Sequence, residues 1–178
     1  SYPFAPGGRL LLTADNHNSV NGIREFAQAR GATLAYAPLT RPELRIDQPA
    51  MDALLTQADP AAANLLAFPA QSNFSGVRHP LSMIGEAQRL GYRVLLDAAA
   101  YLPSNALSLQ VVKPDFVVMS MYKLFGFPAG VGALGNLGQQ DHELVATVPA
   151  DGVGIAHHRH QPVRHHLQHF VAGGDLVA

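Results

Sequence analysis

The sequence predicts an α/β protein with three layers, in which a mostly parallel sheet lies between two layers of helices. The first observation is an alternation between short apolar runs, bounded by turn residues, and amphipathic segments of helical length, which is typical of βα units. The second is composition: 48% of the 178 residues are hydrophobic and 14% are charged, against about 25% charged in an average globular domain. Such a chain can bury a core, and its length fits one domain.

Six runs are expected to form strands, because each is rich in apolar residues and is bounded by turn-forming or polar residues. In chain order they are 9–14, 32–37, 64–68, 93–97, 115–120 and 130–137. The last run is rich in glycine, and we expect it to lie antiparallel to the others.

Three helices are expected between these strands. The first covers 19–30, and its buried face is predicted to consist of Val20, Ile23, Phe26 and Ala27. The second is short and capped by Asp47, with a buried face of Met51, Leu54 and Leu55. The third runs from about Pro80 to Leu90. Gly31 and Gly91 follow the first and third helices, at the position where a left-handed residue is favoured.

A change of character after residue 140 divides the chain. Residues 1–140 are predicted to form the central part of the α/β domain. Residues 141–178 hold seven of the nine histidines and keep no regular periodicity, which favours a flexible or divergent segment. An HExxH pattern is absent from that segment, and we assign no metal site to it.

Composition also excludes several classes of function. The formal net charge is −1, so no basic surface argues for nucleic acid or an anionic membrane. No apolar run approaches the roughly 20 residues of a membrane-spanning helix, and the first residues lack the pattern of a signal peptide. We therefore expect a cytoplasmic protein. The absence of cysteine excludes a disulfide framework, a thiolate metal site and a cysteine nucleophile within these residues.

Polar clusters follow four of the predicted strands, at the point where each strand ends. They cover residues 15–19, 70–73, 97–100 and 120–123. In open α/β sheets, ligands bind beyond the carboxyl ends of the strands. The four clusters therefore predict one pocket.

Two residues of these clusters suggest a particular chemistry. Lys123 is one of only two lysines, and it follows a buried apolar strand and precedes a glycine-rich stretch. Such a lysine is a candidate for an amine held in an apolar pocket and able to form a Schiff base. Asp97 ends another apolar strand and could bind a protonated pyridine nitrogen. A lysine and an aspartate in these roles are the pair that pyridoxal phosphate requires.

Four stretches, in their order and spacing, resemble the class V aminotransferase-like family, and within it the cysteine-desulfurase-type domain of molybdenum cofactor sulfurases. The stretches are 13–24, 69–76, 94–100 and 120–134. The resemblance implies part of the large domain of a fold-type I, pyridoxal-phosphate-dependent transferase. It also implies L-cysteine as the substrate, alanine and an enzyme-bound persulfide as the products, and a homodimer in the full-length protein.

The resemblance implies catalytic roles for matching positions. Lys123 would form the Schiff base with pyridoxal phosphate and later move the Cα proton of the substrate. Asp97 would bind the pyridinium nitrogen and keep the ring an electron sink. His17 would stack on the face of the ring.

Further cofactor contacts are implied at five other positions. Asn73, with Gln71 nearby, would contact the phenolic oxygen of the cofactor or the carboxylate of the substrate. Ala99 would fit close beneath the ring. Ser120 and Tyr122 would donate hydrogen bonds to the cofactor phosphate.

Two alternatives to cysteine desulfuration stay open. A related group of cysteine desulfurases has Gln at the position of Ala100 and His at that of Tyr122, so the resemblance to that group is weaker than the resemblance to the molybdenum cofactor sulfurases. Because the motifs support the cofactor better than the substrate, the first alternative is another class V activity: a lyase, an epimerase or a transaminase. The phosphate-binding loop and small domain of such enzymes have no counterpart among these residues. The second alternative is therefore a truncated, inactive domain that serves as a binding module.

Overall fold

A seven-stranded sheet forms the centre of the protein. The computed structural model describes residues 2–126, 132–137 and 143–147. The strands are β1 (Arg9–Thr13), β2 (Thr33–Ala37), β3 (Asn64–Pro69), β4 (Tyr92–Asp97), β5 (Phe116–Ser120), β6 (Gly132–Asn136) and β7 (Glu143–Thr147). Their order across the sheet is β2-β1-β3-β4-β5-β6-β7. The first five strands are parallel, whereas β6 and β7 are antiparallel to their neighbours, which confirms the mostly parallel sheet and the antiparallel direction of the sixth strand.

Five helices connect or follow these strands. They are α1 (Asn18–Asn21), α2 (Ile23–Ala29), α3 (Gln48–Leu55), α4 (Met83–Arg89) and α5 (Met121–Phe125). No helix within the described ranges is long and apolar enough to cross a membrane.

The prediction of one helix over 19–30 is wrong in two respects. Two short helices, α1 and α2, meet at Gly22, which caps the end of one and the start of the other. Val20 and Ala27 are buried as predicted, but the side chain of Phe26 is 64% exposed. Successive residues of a helix are rotated by about 100°, so Phe26 projects well away from the direction in which its neighbour Ala27 contacts the core.

The other two predicted helices are present with shifted bounds. Asp47 caps α3, because its carboxylate accepts a hydrogen bond from the backbone N–H of Ala50 at 3.1 Å. Helix α4 begins at Met83 rather than at Pro80, since the residues between them form a turn. Gly31 and Gly91 have φ values of 78° and 83°, which confirms the left-handed residue expected after each helix.

The core lies on both faces of the sheet, so the three-layer architecture is confirmed. Successive residues of a strand point to opposite faces. In β1, Leu11 contacts the hydrophobic cluster that includes α3 and α4, whereas Leu10 and Leu12 contact the cluster that includes α1 and α2. Every residue of β3 is buried, as expected for a central strand covered by helices on both sides.

Replacing Gly91 by Ala should destabilise the protein strongly. A Cβ atom at this position would lie 2.6 Å from Pro60 Cα and 2.8 Å from its carbonyl oxygen, and the φ of 83° disfavours any residue with a side chain. Backbone strain and overpacking together should lower the free energy of unfolding by about 2–5 kcal/mol. Urea unfolding measures this change.

Gly7 provides the matched control for that substitution. Its φ is 88°, but nothing lies within 4 Å of the position that a Cβ would occupy. Gly7→Ala should therefore cost only the left-handed backbone term, roughly 1–2 kcal/mol. Equal losses in the two variants would show that the contact with Pro60 is unimportant.

The sheet continues past residue 140, because β7 covers Glu143–Thr147. The histidine cluster predicted to belong to a flexible or divergent segment lies outside the described residues. Within the described ranges, no group of three or more His, Cys, Asp or Glu side chains could hold a metal ion.

Candidate active site

A cavity of about 350 Å³ opens at the carboxyl edge of the sheet. The structure brings all eight sequence-predicted site residues into its lining, and their roles toward a cofactor stay predictions. They are His17, Gln71, Asn73, Asp97, Ala99, Ser120, Tyr122 and Lys123. The apolar part of the lining was not predicted from the sequence. It consists mainly of Val20, Ile23, Leu95, Val118 and Leu134.

The pairing of the strands explains why these residues meet. In the register of β3 and β4, Pro69 lies opposite Asp97, so the two strands end at the same level. The backbone N–H of Ala70 donates to the carbonyl of Asp97 at 2.8 Å, and that of Ala98 donates to the carbonyl of Val118 at 2.9 Å. Three strand ends are therefore fixed to one another at the edge of the cavity.

Asp97 is a buried carboxylate at this edge. Its side chain accepts a hydrogen bond through Oδ1 from the backbone N–H of Ala99 at 2.9 Å, and the residue is 7% exposed. Burial raises the pKa of Asp97 above its usual value, against the opposing effects of the Ala99 N–H and the charges of Lys123 and His17. Oδ2 accepts no hydrogen bond from any residue that the structure describes, so Asp97 has an acceptor to offer a cationic N–H group.

Lys123 lies across the cavity in α5, which begins directly after β5. Its Nζ donates a hydrogen bond to Asn73 Oδ1 at 2.7 Å. This helix is a single turn that ends at Gly126, whose φ is 79°. Sequence reasoning missed it, although a glycine in this position is a signal for the end of a helix. The hydrogen bond between Lys123 and Asn73 joins the segment after β5 to the loop after β3.

His17 and Ser120 begin the two short helices that flank the cavity. His17 caps α1 by accepting a hydrogen bond from the backbone N–H of Ser19 at 3.3 Å, and its Nδ1 lies 2.9 Å from Ser19 Oγ. Ser120 precedes α5, and its hydroxyl makes no capping bond. The imidazole of His17 is exposed at the cavity, and the Ser120 hydroxyl is available to a ligand.

A buried pair beneath the site was not predicted from the sequence. His79 Nε2 lies 2.7 Å from Asp15 Oδ2, and each side chain is 1% exposed. Asp15 follows β1, and His79 belongs to the loop after β3, so the pair fixes two of the loops that form the cavity. Asp15 belongs to the predicted polar cluster 15–19, but its pairing with His79 could not be predicted because the two residues are far apart along the chain.

The pKa of Asp15 lies below its usual value. Burial would raise this pKa, but the hydrogen bond and the charge of His79, with the hydroxyls of Thr13 and Ser72, outweigh that effect. A lowered carboxylate pKa stabilises the fold above the unfolded-state pKa, and this stabilisation is lost as the pH falls through the folded-state value.

Asp15→Asn should therefore reduce stability in a pH-dependent way. At pH 6 we expect a loss of about 2 kcal/mol in the free energy of unfolding, because the acceptor facing His79 loses its negative charge and the bond is no longer charge-assisted. The difference from the wild type should shrink as the pH falls below 3.8, the ordinary pKa of the group. Urea unfolding at several pH values measures it.

Asp52→Asn is the matched control, since Asp52 is exposed on α3 and an amide can still accept the bond from Gln48. We expect this variant to stay within about 0.5 kcal/mol of the wild type at each pH. A loss for Asp15→Asn that does not depend on pH would contradict the assignment of an ionised Asp15.

Comparison with known proteins identifies the family of the chain and several relatives. The family model described as aminotransferase class-V matches residues 1–144. Molybdenum cofactor sulfurase 3 of Aedes aegypti is 39% identical over 142 residues, which cover 75% of this chain and 18% of that protein. The human molybdenum cofactor sulfurase is 40% identical over 141 residues, which cover 74% of this chain and 16% of that protein. The chain therefore spans less than a fifth of the length of these relatives.

Solved structures share the fold. The cysteine desulfurase CsdA of Escherichia coli superposes with a TM-score of 0.66 at 24% identity, over 88% of this chain and 40% of that one. A cysteine desulfurase of Thermococcus onnurineus gives a TM-score of 0.65 at 20% identity, over 86% of this chain and 40% of that one.

Proposed function

Because the chain belongs to the aminotransferase class-V family, we propose that it binds pyridoxal phosphate and removes sulfur from L-cysteine. The observation that carries this proposal is the presence of Lys123 and the buried carboxylate of Asp97 in one cavity. The names of the relatives and structural neighbours support cysteine as the substrate.

The residues in the cavity fit this cofactor. Among the residues that the structure describes, Oδ2 of Asp97 has no partner and suits a protonated ring nitrogen, and the primary amine of Lys123 has one side-chain partner, Asn73. The volume of the cavity, about 350 Å³, lies in the range of roughly 300–1,000 Å³ that is usual for small-molecule sites. The Ser120 hydroxyl can donate to a phosphate oxygen.

Each of these residues would have a distinct task. Pyridoxal phosphate, when bound, supplies an electron sink for the substrate Cα. Asp97 holds the proton on the ring nitrogen, and its charge acts strongly because the carboxylate is buried. Lys123, after leaving Asn73, would hold the cofactor through Nζ, and Nζ would move the Cα proton as a free amine once the amino group of the substrate has replaced it on the cofactor. Asn73, after losing its contact with Lys123, can donate its amide hydrogens to the ligand.

The sulfur requires an acceptor outside these 178 residues. The proposed reaction converts L-cysteine and a thiol into alanine and a persulfide of that thiol. The chain contains no cysteine, so the acceptor thiol belongs to another molecule or to a segment beyond these residues. An added dithiol can replace that acceptor in an assay.

An assay for alanine and sulfide tests the proposal. The protein is incubated with pyridoxal phosphate, L-cysteine and dithiothreitol, and L-serine replaces L-cysteine in the control. We expect alanine and sulfide in equal amounts, and neither product from L-serine. A protein that binds the cofactor but forms neither product would have another class V activity. A protein that binds no cofactor would favour a binding module instead.

A further inference from the structure

A chain of three hydrogen-bonded side chains runs from the surface to the wall of the cavity. Gln71 and Arg78 lie opposite each other in a short antiparallel bridge formed by the loop after β3. Asn105, from the segment after β4, contacts both side chains. Arg78 donates to Asn105 Oδ1 at 3.0 Å, and Asn105 Nδ2 donates to Gln71 Oε1 at 3.2 Å.

The chemistry of the neighbouring groups determines which atom of Asn105 donates and which accepts in these hydrogen bonds. A guanidinium group can only donate, so the atom of Asn105 that faces Arg78 must be the carbonyl oxygen. A backbone carbonyl can only accept, and the other end of the Asn105 amide faces the carbonyl of Tyr101 at 3.0 Å. Both neighbours therefore require the same orientation of Asn105. Its Nδ2 group donates to Ser104 Oγ at 3.0 Å as well, and the Gln71 atom that lies 3.2 Å from this donor must be the acceptor Oε1.

This orientation decides what Gln71 can offer to a ligand. With Oε1 engaged by Asn105, the remaining polar group of Gln71 is the Nε2 donor, which makes no hydrogen bond with the residues that the structure describes. Gln71 lines the cavity and is only partly buried. A donor at this position suits an anionic oxygen of the bound molecule and not a second donor.

We propose that Asn105 is a positioning residue that orients the Gln71 amide, so that its Nε2 group binds an anionic oxygen of the ligand in the cavity. This inference rests on the proposed function, which supplies two such oxygens: the phenolic oxygen of pyridoxal phosphate and the carboxylate of the amino acid. Arg78 fixes Asn105 in turn.

Asn105→Asp should reverse the orientation of the Gln71 amide, although the side chain at position 105 keeps its shape. The aspartate still accepts from Arg78, but it has no donor for Gln71 Oε1. The new carboxylate oxygen also faces the carbonyl of Tyr101, so Gln71 is the neighbour that can compensate: it rotates its amide, Nε2 donates to the carboxylate, and Oε1 turns toward the cavity. An anionic oxygen would then meet an acceptor, and we expect its binding to weaken about 10–100-fold.

A double-mutant cycle separates positioning from a structural effect. Gln71→Ala, Asn105→Asp and the double variant are compared with the wild type by absorbance titration with pyridoxal phosphate. If Asn105 acts through Gln71, the substitution at 105 has no further effect once Gln71 is absent. Independent effects of the two substitutions would overturn the proposal, and so would an unchanged affinity for all ligands in Asn105→Asp.

Two ligand comparisons identify the anionic oxygen. If it is the phenolic oxygen, Asn105→Asp weakens pyridoxal phosphate but not its 3-deoxy analogue. If it is the carboxylate, the loaded protein loses affinity for L-cysteine but not for cysteamine, which has no carboxylate. Either result supports the proposal.

A measurement without cofactor keeps this inference distinct from the proposed function. The side-chain amide signal of Gln71 in an NMR spectrum is assigned by its absence in Gln71→Ala. In Asn105→Asp this signal should move downfield, because Nε2 then donates to a carboxylate. An unchanged signal would overturn the orientation argument even if the wild type binds pyridoxal phosphate. A wild type that binds none would refute the proposed function whatever the signal does.

Discussion

Lys123→Ala should abolish covalent attachment of pyridoxal phosphate and lower the rate of alanine formation by a factor of about 10³ or more. The substitution removes the only amine in the lining of the cavity among the described residues. In the proposed function this amine would both hold the cofactor and move the Cα proton. The visible absorbance of the protein with pyridoxal phosphate, and its loss on borohydride reduction, measures the attachment.

The scarcity of lysine makes this experiment easy to interpret. Lys113 is the only other lysine in the sequence, and it is exposed. After borohydride reduction and digestion, mass spectrometry should find the pyridoxyl group on Lys123 and not on Lys113. Lys113→Ala should keep the absorbance band and the rate.

Lys123→Arg separates charge from reactivity. Arginine keeps the positive charge and can still donate to Asn73, but it cannot form the covalent bond. We expect this variant to be as inactive as Lys123→Ala. A band or a rate close to that of the wild type in either variant would remove Lys123 from the mechanism.

Asp97→Asn should reduce the rate by a factor of about 10²–10³, without destabilising the protein that lacks cofactor. Asparagine can keep the hydrogen bond from the Ala99 N–H to Oδ1. It loses the negative charge that holds the proton on the ring nitrogen. The rate of alanine formation at saturating pyridoxal phosphate measures the first effect, and urea unfolding measures the second.

The raised pKa of Asp97 gives the sign of the effect on stability. A carboxyl whose pKa is higher in the folded state than in the unfolded state destabilises the fold above the folded-state pKa. This cost declines as the pH falls through the folded-state pKa, and it is absent below 3.8, the ordinary pKa of the group. Asp97→Asn should therefore be at least as stable as the wild type at pH 7 and should gain nothing at pH 3. A large loss of stability at pH 7 would instead make Asp97 a structural residue, and an unchanged rate would exclude it from the mechanism.

Local patterns were enough to predict most of the sheet and the polar residues of the cavity. Strands such as β3 are continuous apolar runs because both of their faces are covered, and polar residues gather where those runs end. Parallel strands bring these ends to one edge, so Gln71, Asp97 and Lys123 could be grouped without coordinates. The glycine-rich sixth run was expected to lie antiparallel to the others, and the pairing of β6 with β5 confirms it.

Contacts between distant segments could not be predicted in this way. The pairing of Asp15 with His79 and the contact of Asn105 with Gln71 depend on how two loops approach each other, which no local pattern encodes. Strand β7 is a five-residue edge strand, and its identity depends on its pairing with β6. Helical spacing also failed at two points: it did not reveal the break at Gly22, and it placed Phe26 on the buried face although this side chain projects away from the core.

The register that aligns the ends of β3, β4 and β5 also has a consequence for folding. The cavity is assembled from segments that extend from His17 to Leu134, and these meet only after the non-local strand pairs have formed. A ligand of the cavity therefore cannot assist the early stages of folding, because it can bind only after the sheet has formed. At a concentration of 100 times its dissociation constant, it would add about 2.7 kcal/mol to the stability of that sheet. Cofactor supply would then govern the lifetime of the protein in a cell as well as its activity.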